Sequence, residues 1–213
     1  VVYVNYLVDA ERLLPLVPAG LELQRLVPDG RFALFTSLTY RHGHFGPGLA
    51  GPRRRLMPSP VHSNWRIYVR DPQTGLEGTY FVTNAIASTP HALAARMLSE
   101  GMPMHVPRRG AVVAEKDGSF RVALDPGSGT APDLEGRLRP GAAEQPAAWA
   151  ECFASYRHFL AYCVPQDRAL SSQPWYGRVT RQEIRLGIPL EECEPLQGEM
   201  RSRAAGRSVG DAA

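Results

Sequence analysis

A chain of 213 residues has room for one full domain built around one continuous core. Its 44% hydrophobic fraction is that of a soluble globular protein, and no apolar run approaches the ~18 residues that span a bilayer, which excludes a helical membrane protein. The net charge of +3 is small, and Lys116 is the one lysine among 24 basic residues; only Arg53-Arg54-Arg55 forms a run, so a nucleic-acid face is not expected.

The start, VVYVNYLVDAERLL, lacks a basic n-region and a cleavage site, and a cytoplasmic location is the expectation. Val1 opens directly in strand-like sequence, which leaves room for natural residues before it. Asp9 is placed to cap a short helix, AERLL, which Pro15 limits. RFALFTSLTYR follows as a strand with Phe32, Leu34, Thr36 and Leu38 on one face. Residues 42–60 are rich in Gly and Pro and read as a long loop of the kind that forms lids or binding loops. NWRIYVRD and GTYFVTNAIA, separated by a Pro-Gln-Thr-Gly turn, read as a β-hairpin.

Thr89-Pro90 marks the start of a helix whose apolar stripe includes Leu93, Ala94, Met97 and Leu98, with Gly101 just past its end. AVVAEKDGSFRVAL is a hairpin turning at Asp117-Gly118. Residues 125–145 are polar and rich in Pro and Gly, and read as a loop. From Pro146 the spacing of Trp149, Cys152, Phe153, Tyr156, Phe159, Leu160 and Cys163 predicts one long helix with a core-facing stripe. A last strand is expected near GRVTRQEIRL. Residues 1–196 then make a single domain, and the Arg-, Gly-, Ser- and Ala-rich tail 197–213 is expected to be disordered.

Strands outnumber helices and no βαβ unit repeats, so the fold class is α+β. The expected architecture is a mainly antiparallel curled sheet or β-barrel, closure being the economical way to remove exposed edges, with two or three helices packed outside. On one helix, Cys152 and Cys163 would lie about 16 Å apart, too far for a disulfide, and Cys193 stands alone. No Cys or His spacing suits a metal; His42 and His44 lack a third ligand, and no cofactor is read.

The succession VDAERLLPLVPAGLEL, NWRIYVRDPQTGLEGTYFV, an Ala-Ala-Arg helix, a Met-Pro turn, then CFASYRHFLAY and SQPWYGRV resembles the DUF2071 (YqjF-like) family of the acetoacetate decarboxylase-like superfamily, over roughly residues 1–190. The resemblance implies a barrel or cone-like sheet with outer helices and an inner small-molecule cavity. Acetoacetate decarboxylases form a Schiff base on a lysine in a Gly-x-Pro-Lys-type segment. Gly101-Met102-Pro103 resembles its opening, but Met104 stands at the lysine position. Arg108 and Arg109 cannot replace it, because a guanidinium does not supply the neutral amine that an imine needs. Lys116 falls in a hairpin turn. Two further departures are His62, where relatives carry Glu, and Ser172-Gln173-Pro174-Trp175, where relatives carry His-x-Pro-Trp.

Alternation along VHSNWRIYV puts His62, Asn64, Arg66 and Tyr68 on one strand face, with Trp65, Ile67 and Val69 turned to the helices. Arg66 suits a carboxylate or phosphate, with a structural arginine paired to a buried acid or carbonyl as the competing reading. The candidate catalytic residues are His62, His105 and Tyr68, as proton donors or acceptors. The candidate substrate-binding residues are Asn64, Arg66 and Met104. Arg96 and Arg157 read as structural.

The functional expectation is a small-molecule-cavity protein without imine chemistry. One form is an acid/base lyase, isomerase or cyclase acting on an acidic or carbonyl metabolite. The alternative is a non-catalytic carrier or sensor using the same cavity, and a third is a structural module whose pocket its own side chains fill. The expected partner is an anionic or carbonyl-containing small molecule, with neither nucleic acid nor membrane, and self-association is left open.

Overall fold

The computed structural model describes all residues except 27–28, 47, 99–102, 144, 166, 185–186 and 210–213. The large sheet orders its strands β1 (Val2–Asp9), β3 (Phe32–Arg41), β4 (Val61–Arg70), β5 (Glu77–Ile86), β10 (Arg168–Gln173) and β11 (Arg178–Glu183). Two short strands join it, β2 (Glu22–Leu23) on β4 and β6 (Met104–His105) on β5. The smaller sheet runs β12 (Leu196–Arg201), β9 (Leu134–Pro140), β8 (Phe120–Asp125) and β7 (Arg109–Ala114). Both are curled and mainly antiparallel, and neither closes into a barrel.

Five helices accompany them among the described residues: α1 (Ala10–Leu13), α2 (Thr89–Leu98), α3 (Ala147–Cys152), α4 (Tyr156–Cys163) and α5 (Arg203–Val209). None is long and apolar enough to cross a membrane.

Local chemistry sets several of these elements where the sequence predicts them. Asp9 caps α1 by accepting the Glu11 N–H at 3.1 Å. The β4–β5 hairpin turns on Asp71, whose carboxylate accepts from the Gln73 N–H at 2.9 Å and the Thr74 hydroxyl at 2.7 Å. The β7–β8 hairpin turns at Asp117-Gly118, with Gly118 at φ +78°.

Other elements depart from the prediction. The expected single helix from Pro146 is two helices, because Phe153 is extended (φ −131°, ψ 119°) and Ser155 starts α4 afresh by accepting the His158 N–H. Cys152 and Cys163 therefore lie on different helices, and all three cysteines are free. In α2 the predicted stripe is not the buried face: Leu93 and Met97 are 58% and 75% exposed, and Ala92 is buried instead. The Gly101 cap lies outside the described residues. Residues 134–140, read as loop, form β9, which sits between β8 and β12 and buries Leu134 and Leu138. The tail read as disordered contributes β12 and α5, with Ala205 and Val209 buried in the main core.

The main core lies on the face of the large sheet that carries Ala33, Phe35, Trp65, Ile67 and Val69. Against it pack Val122, Leu124, Leu134 and Leu138 of the smaller sheet, with α1 and α5 at the edge. The apolar set of β4 thus faces mainly a second sheet rather than helices. The helices cover the opposite face, where Leu34 and Tyr68 pack with Leu160 and Cys163 of α4, and Ile86 packs with Ala92 of α2 and Met104. Since β4 is buried on both faces from Val61 to Val69, the polar side chains on its second face lie in the interior.

The C-terminal strand is held by a backbone conformation only glycine accepts easily. Gly198 has φ +148°, and a Cβ there would meet the Arg137 carbonyl oxygen of β9 at 2.2 Å. Gly198→Ala is expected to destabilise the protein by about 2 kcal/mol or more, read as a lowered urea midpoint, and to open the β9–β12 edge to limited proteolysis. An unchanged midpoint would show that this pairing contributes little.

Candidate functional site

The large sheet brings one row of polar side chains together beneath the helices. Alternation along β4 turns His62, Asn64, Arg66 and Tyr68 to the same face, and the antiparallel register sets Asn84 of β5 directly opposite Asn64. The register with β5 shifts between Trp65 and Arg66, a bulge at the middle of the row. The expected polar row is therefore present, and each of its four members is at most 9% exposed.

Arg66 is fully buried. One of its terminal nitrogens, Nη2, donates to the Cys163 carbonyl at the end of α4 and to the Tyr68 hydroxyl at 3.2 Å. Its guanidinium carbon sits 5.7 Å from the Tyr3 ring centroid and 5.4 Å from that of Tyr68, within cation–π range. No carboxylate pairs with it among the described residues, and Nε and Nη1 have no acceptor. The structural reading of this arginine is met in part, by a carbonyl, and leaves two donor groups open.

Tyr68 donates to the same Cys163 carbonyl at 2.9 Å and contacts the Thr36 hydroxyl at 3.2 Å. Burial pushes its phenol up to about 12, against the pull of Arg66. His62 has its Nδ1 within 3.1 Å of the Tyr40 hydroxyl and 3.0 Å of His42 Nε2, while its Nε2 is buried without a partner. Burial, with His42 adding to it, pushes the imidazole down to about 3, so the ring is neutral at neutral pH. Asn64 donates through Nδ2 to the Tyr40 hydroxyl at 3.4 Å and leaves Oδ1 without a donor.

The two remaining sequence candidates sit on β6, which runs parallel to β5. Met104 pairs beside Asn84 and is buried against Ile86 and Ala92, at the border of the polar face. His105 pairs in the opposite phase, beside Ala85, and its Nδ1 lies 2.9 Å from the Thr130 hydroxyl. It is not brought to the row. Gly101 and Met102, the opening of that segment, lie outside the described residues. Arg108 is tied to Asp125 at 2.5 Å on the surface, and Arg96 donates to the Met104 carbonyl at 2.7 Å.

Sequence reasoning missed Asn84, whose amide is 1% exposed and has neither Nδ2 nor Oδ1 partnered. It also missed Gln173, which alternation from the Ala169–Thr79 pairing places on the same face, with Nε2 buried and unpartnered. The signal for Asn84 is an amide inside the largely apolar strand run TYFVTNAIA, since asparagine is mostly an exposed residue. His42, weighed as half of a metal pair, instead meets His62, whereas His44 turns to the Met57 carbonyl at 3.2 Å. No cluster suited to a metal exists among the described residues. An open cleft of about 830 Å³ lies elsewhere, lined by Asp133, Arg201, Arg203 and Arg207. Its arginines are on the surface, and Arg203 is paired to Asp133, so that cleft lacks the buried open donors of the row.

Two curled antiparallel sheets, with outer helices closing over a buried polar face, define an acetoacetate decarboxylase-like fold. The fold resembles that of an acetoacetate decarboxylase from Legionella pneumophila (TM-score 0.50, 14% identity), the match covering 85% of this chain and 62% of that one. Weaker likenesses are to the enduracididine biosynthesis enzyme MppR (TM-score 0.45, 16% identity, 84% of this chain and 63% of that chain) and to an acetoacetate decarboxylase-like enzyme from Sphingomonas wittichii RW1 (TM-score 0.45, 11% identity, 93% and 83%). The chain thus spans less than two thirds of the length of the first two. No curated protein sequence matches it. The model of the DUF2071 family, described as an uncharacterized conserved protein, matches residues 1–187, and the chain belongs to that family.

The buried imidazole has a consequence for stability. Its folded pKa of about 3 lies below the ordinary 6.5, so the unfolded chain takes up the proton first as pH falls. The contribution of His62 is complete above about pH 6.5 and declines from there toward pH 3. The non-titrating variant His62→Asn is expected to show a shallower loss of Tm than the wild type between about pH 7 and pH 4. Parallel curves would show that His62 is not held neutral.

Proposed function

We propose that the buried polar face binds a small organic acid, with Arg66 taking its carboxylate, and that the protein acts as a carrier or sensor of that acid. One observation carries the reading. A guanidinium with no exposed surface keeps Nε and Nη1 without acceptors and has no carboxylate partner among the described residues. A buried cation left in that condition costs several kcal/mol, and an anionic ligand removes the deficit. The decarboxylase with a similar fold acts, by its name, on acetoacetate, which is itself a small carboxylate, and this supports the same ligand class.

Imine chemistry does not fit the residues. Met104 occupies the matched position, and Lys116 is exposed in the β7–β8 turn. Proton transfer at neutral pH is also poorly served in the unliganded state. His62 is pushed down to about 3 and Tyr68 up to about 12, with the Tyr68 proton already donated to Cys163.

A second reading, an acid/base lyase, isomerase or cyclase, is favoured by the free, buried His62 Nε2. A bound carboxylate close to that nitrogen would raise the imidazole pKa toward the useful range. The two readings share the binding step and differ in turnover.

Binding is tested by calorimetry with acetoacetate and its methyl ester. The acid is expected to bind at least about tenfold tighter than the ester, and Arg66→Met to remove that difference. Equal affinities on the wild type would refute the role of Arg66 whether or not the variant folds. Borohydride treatment in the presence of acetoacetate is expected to leave the protein mass unchanged. An adduct on Lys116 would restore the imine route. Consumption of a bound acid, lost in His62→Asn, would decide for the enzyme reading.

A further inference from the structure

The open hydrogen-bonding groups on the polar face are of two kinds, and a simple carboxylate answers only one. Arg66 Nε and Nη1, Asn84 Nδ2 and Gln173 Nε2 are donors, which carboxylate or carbonyl oxygens can satisfy. Asn84 Oδ1 and Asn64 Oδ1 are acceptors, which need an O–H or N–H from the ligand. For Asn84 the conclusion survives exchange of amide oxygen and nitrogen, because neither atom has a protein partner and either orientation presents one acceptor. Asn84 is 1% exposed, sits across the register from Asn64, and lies one pleat along the row from Arg66.

Resting on the reading of Arg66 as the carboxylate site, we infer that the ligand is a hydroxy acid, whose hydroxyl donates to the Asn84 amide, rather than a keto acid. A ketone in that place can accept from Asn84 Nδ2 but has no hydrogen to give Oδ1, and so leaves a buried acceptor unanswered. A hydroxyl has one proton and two lone pairs, so it answers one open acceptor and still accepts from a neighbouring donor. An ammonium group fits less well. The only buried acid among the described residues is Asp71, whose carboxylate is engaged by Gln73 and Thr74 in the β4–β5 turn. An amino acid would bring a second cation beside Arg66 with no counter-charge to meet it. The specificity-determining residue is thus Asn84, and its requirement is opposite to that of a site built for β-keto acids.

Calorimetry on the full chain with two matched series tests this: propionate, pyruvate and lactate, then butyrate, acetoacetate and 3-hydroxybutyrate, with 3-aminobutyrate added. In at least one series the hydroxy acid is expected to bind about tenfold or more tighter than the keto and unsubstituted acids. Asn84→Leu is expected to bring the hydroxy and unsubstituted acids of that series to the same affinity. If the variant does not fold, the wild-type ranking alone decides. Keto acids binding as tightly as their hydroxy partners in both series, or 3-aminobutyrate binding tightest, overturn the hydroxy-acid inference and leave the carboxylate site standing. Acids that bind no better than their methyl esters overturn both.

Discussion

The guanidinium of Arg66 lies at zero exposure in the middle of β4, and the surrounding face is arranged around it. The groups that hold it are a peptide carbonyl and two aromatic rings, not a carboxylate. The carbonyl is that of Cys163, the last residue of α4, where the unpaired C=O groups of a helix carry partial negative charge. Tyr68 donates to the same oxygen, so one carbonyl ties the helix to two residues of the strand. Such contacts hold the side chain in place while neutralising only part of its charge. The arrangement positions a cation and leaves its charge available to an anion.

That constraint explains why the two faces of the large sheet differ. The face carrying Phe35, Trp65, Ile67 and Val69 meets the smaller sheet through aliphatic and aromatic contacts, and this core needs no polar partner. The other face is covered at its two ends, by Leu160 and Cys163 of α4 near Tyr68 and by Ala92 and Met104 near Ile86. Between those apolar ends lie Asn64, Arg66 and Asn84, where hydrogen-bonding capacity is met only in part by the described residues. A core assembled for stability alone would have closed this stretch with apolar side chains, since buried unpartnered amides are unfavourable.

The legible and illegible parts of the sequence separate along the same lines. The β4 row could be read in advance because a period of two over VHSNWRIYV fixes which side chains share a face, wherever that face turns out to point. Which layer covers it could not be read: the apolar set was expected against helices and lies mainly against a sheet whose third strand, β9, comes from a Pro- and Gly-rich stretch without strand periodicity. The long-helix expectation failed for a similar reason. The apolar stripe runs on across Phe153 and Ser155, but Phe153 is extended and Ser155 caps a new helix by accepting the His158 N–H. Asn84 was hidden because its importance comes from what it lacks, and partnership across a sheet is a property of the register, not of the residue.

The pairing of Met104 with Asn84 connects these points to the chemistry. A lysine there would set a second cation near Arg66, and like charge with burial is how an amine is made neutral enough to attack a ketone. Methionine supplies neither charge nor nucleophile; it packs on Ile86 and Ala92 and turns that part of the boundary apolar. With the nucleophile absent, the nearest polar group on β5 is an amide, which can orient a ligand but cannot form a bond to it. The imidazole on this face with an unoccupied nitrogen is His62. On the proposal that Arg66 takes a carboxylate, carriage and conversion differ in how far the acid reaches along β4 from Arg66 toward His62.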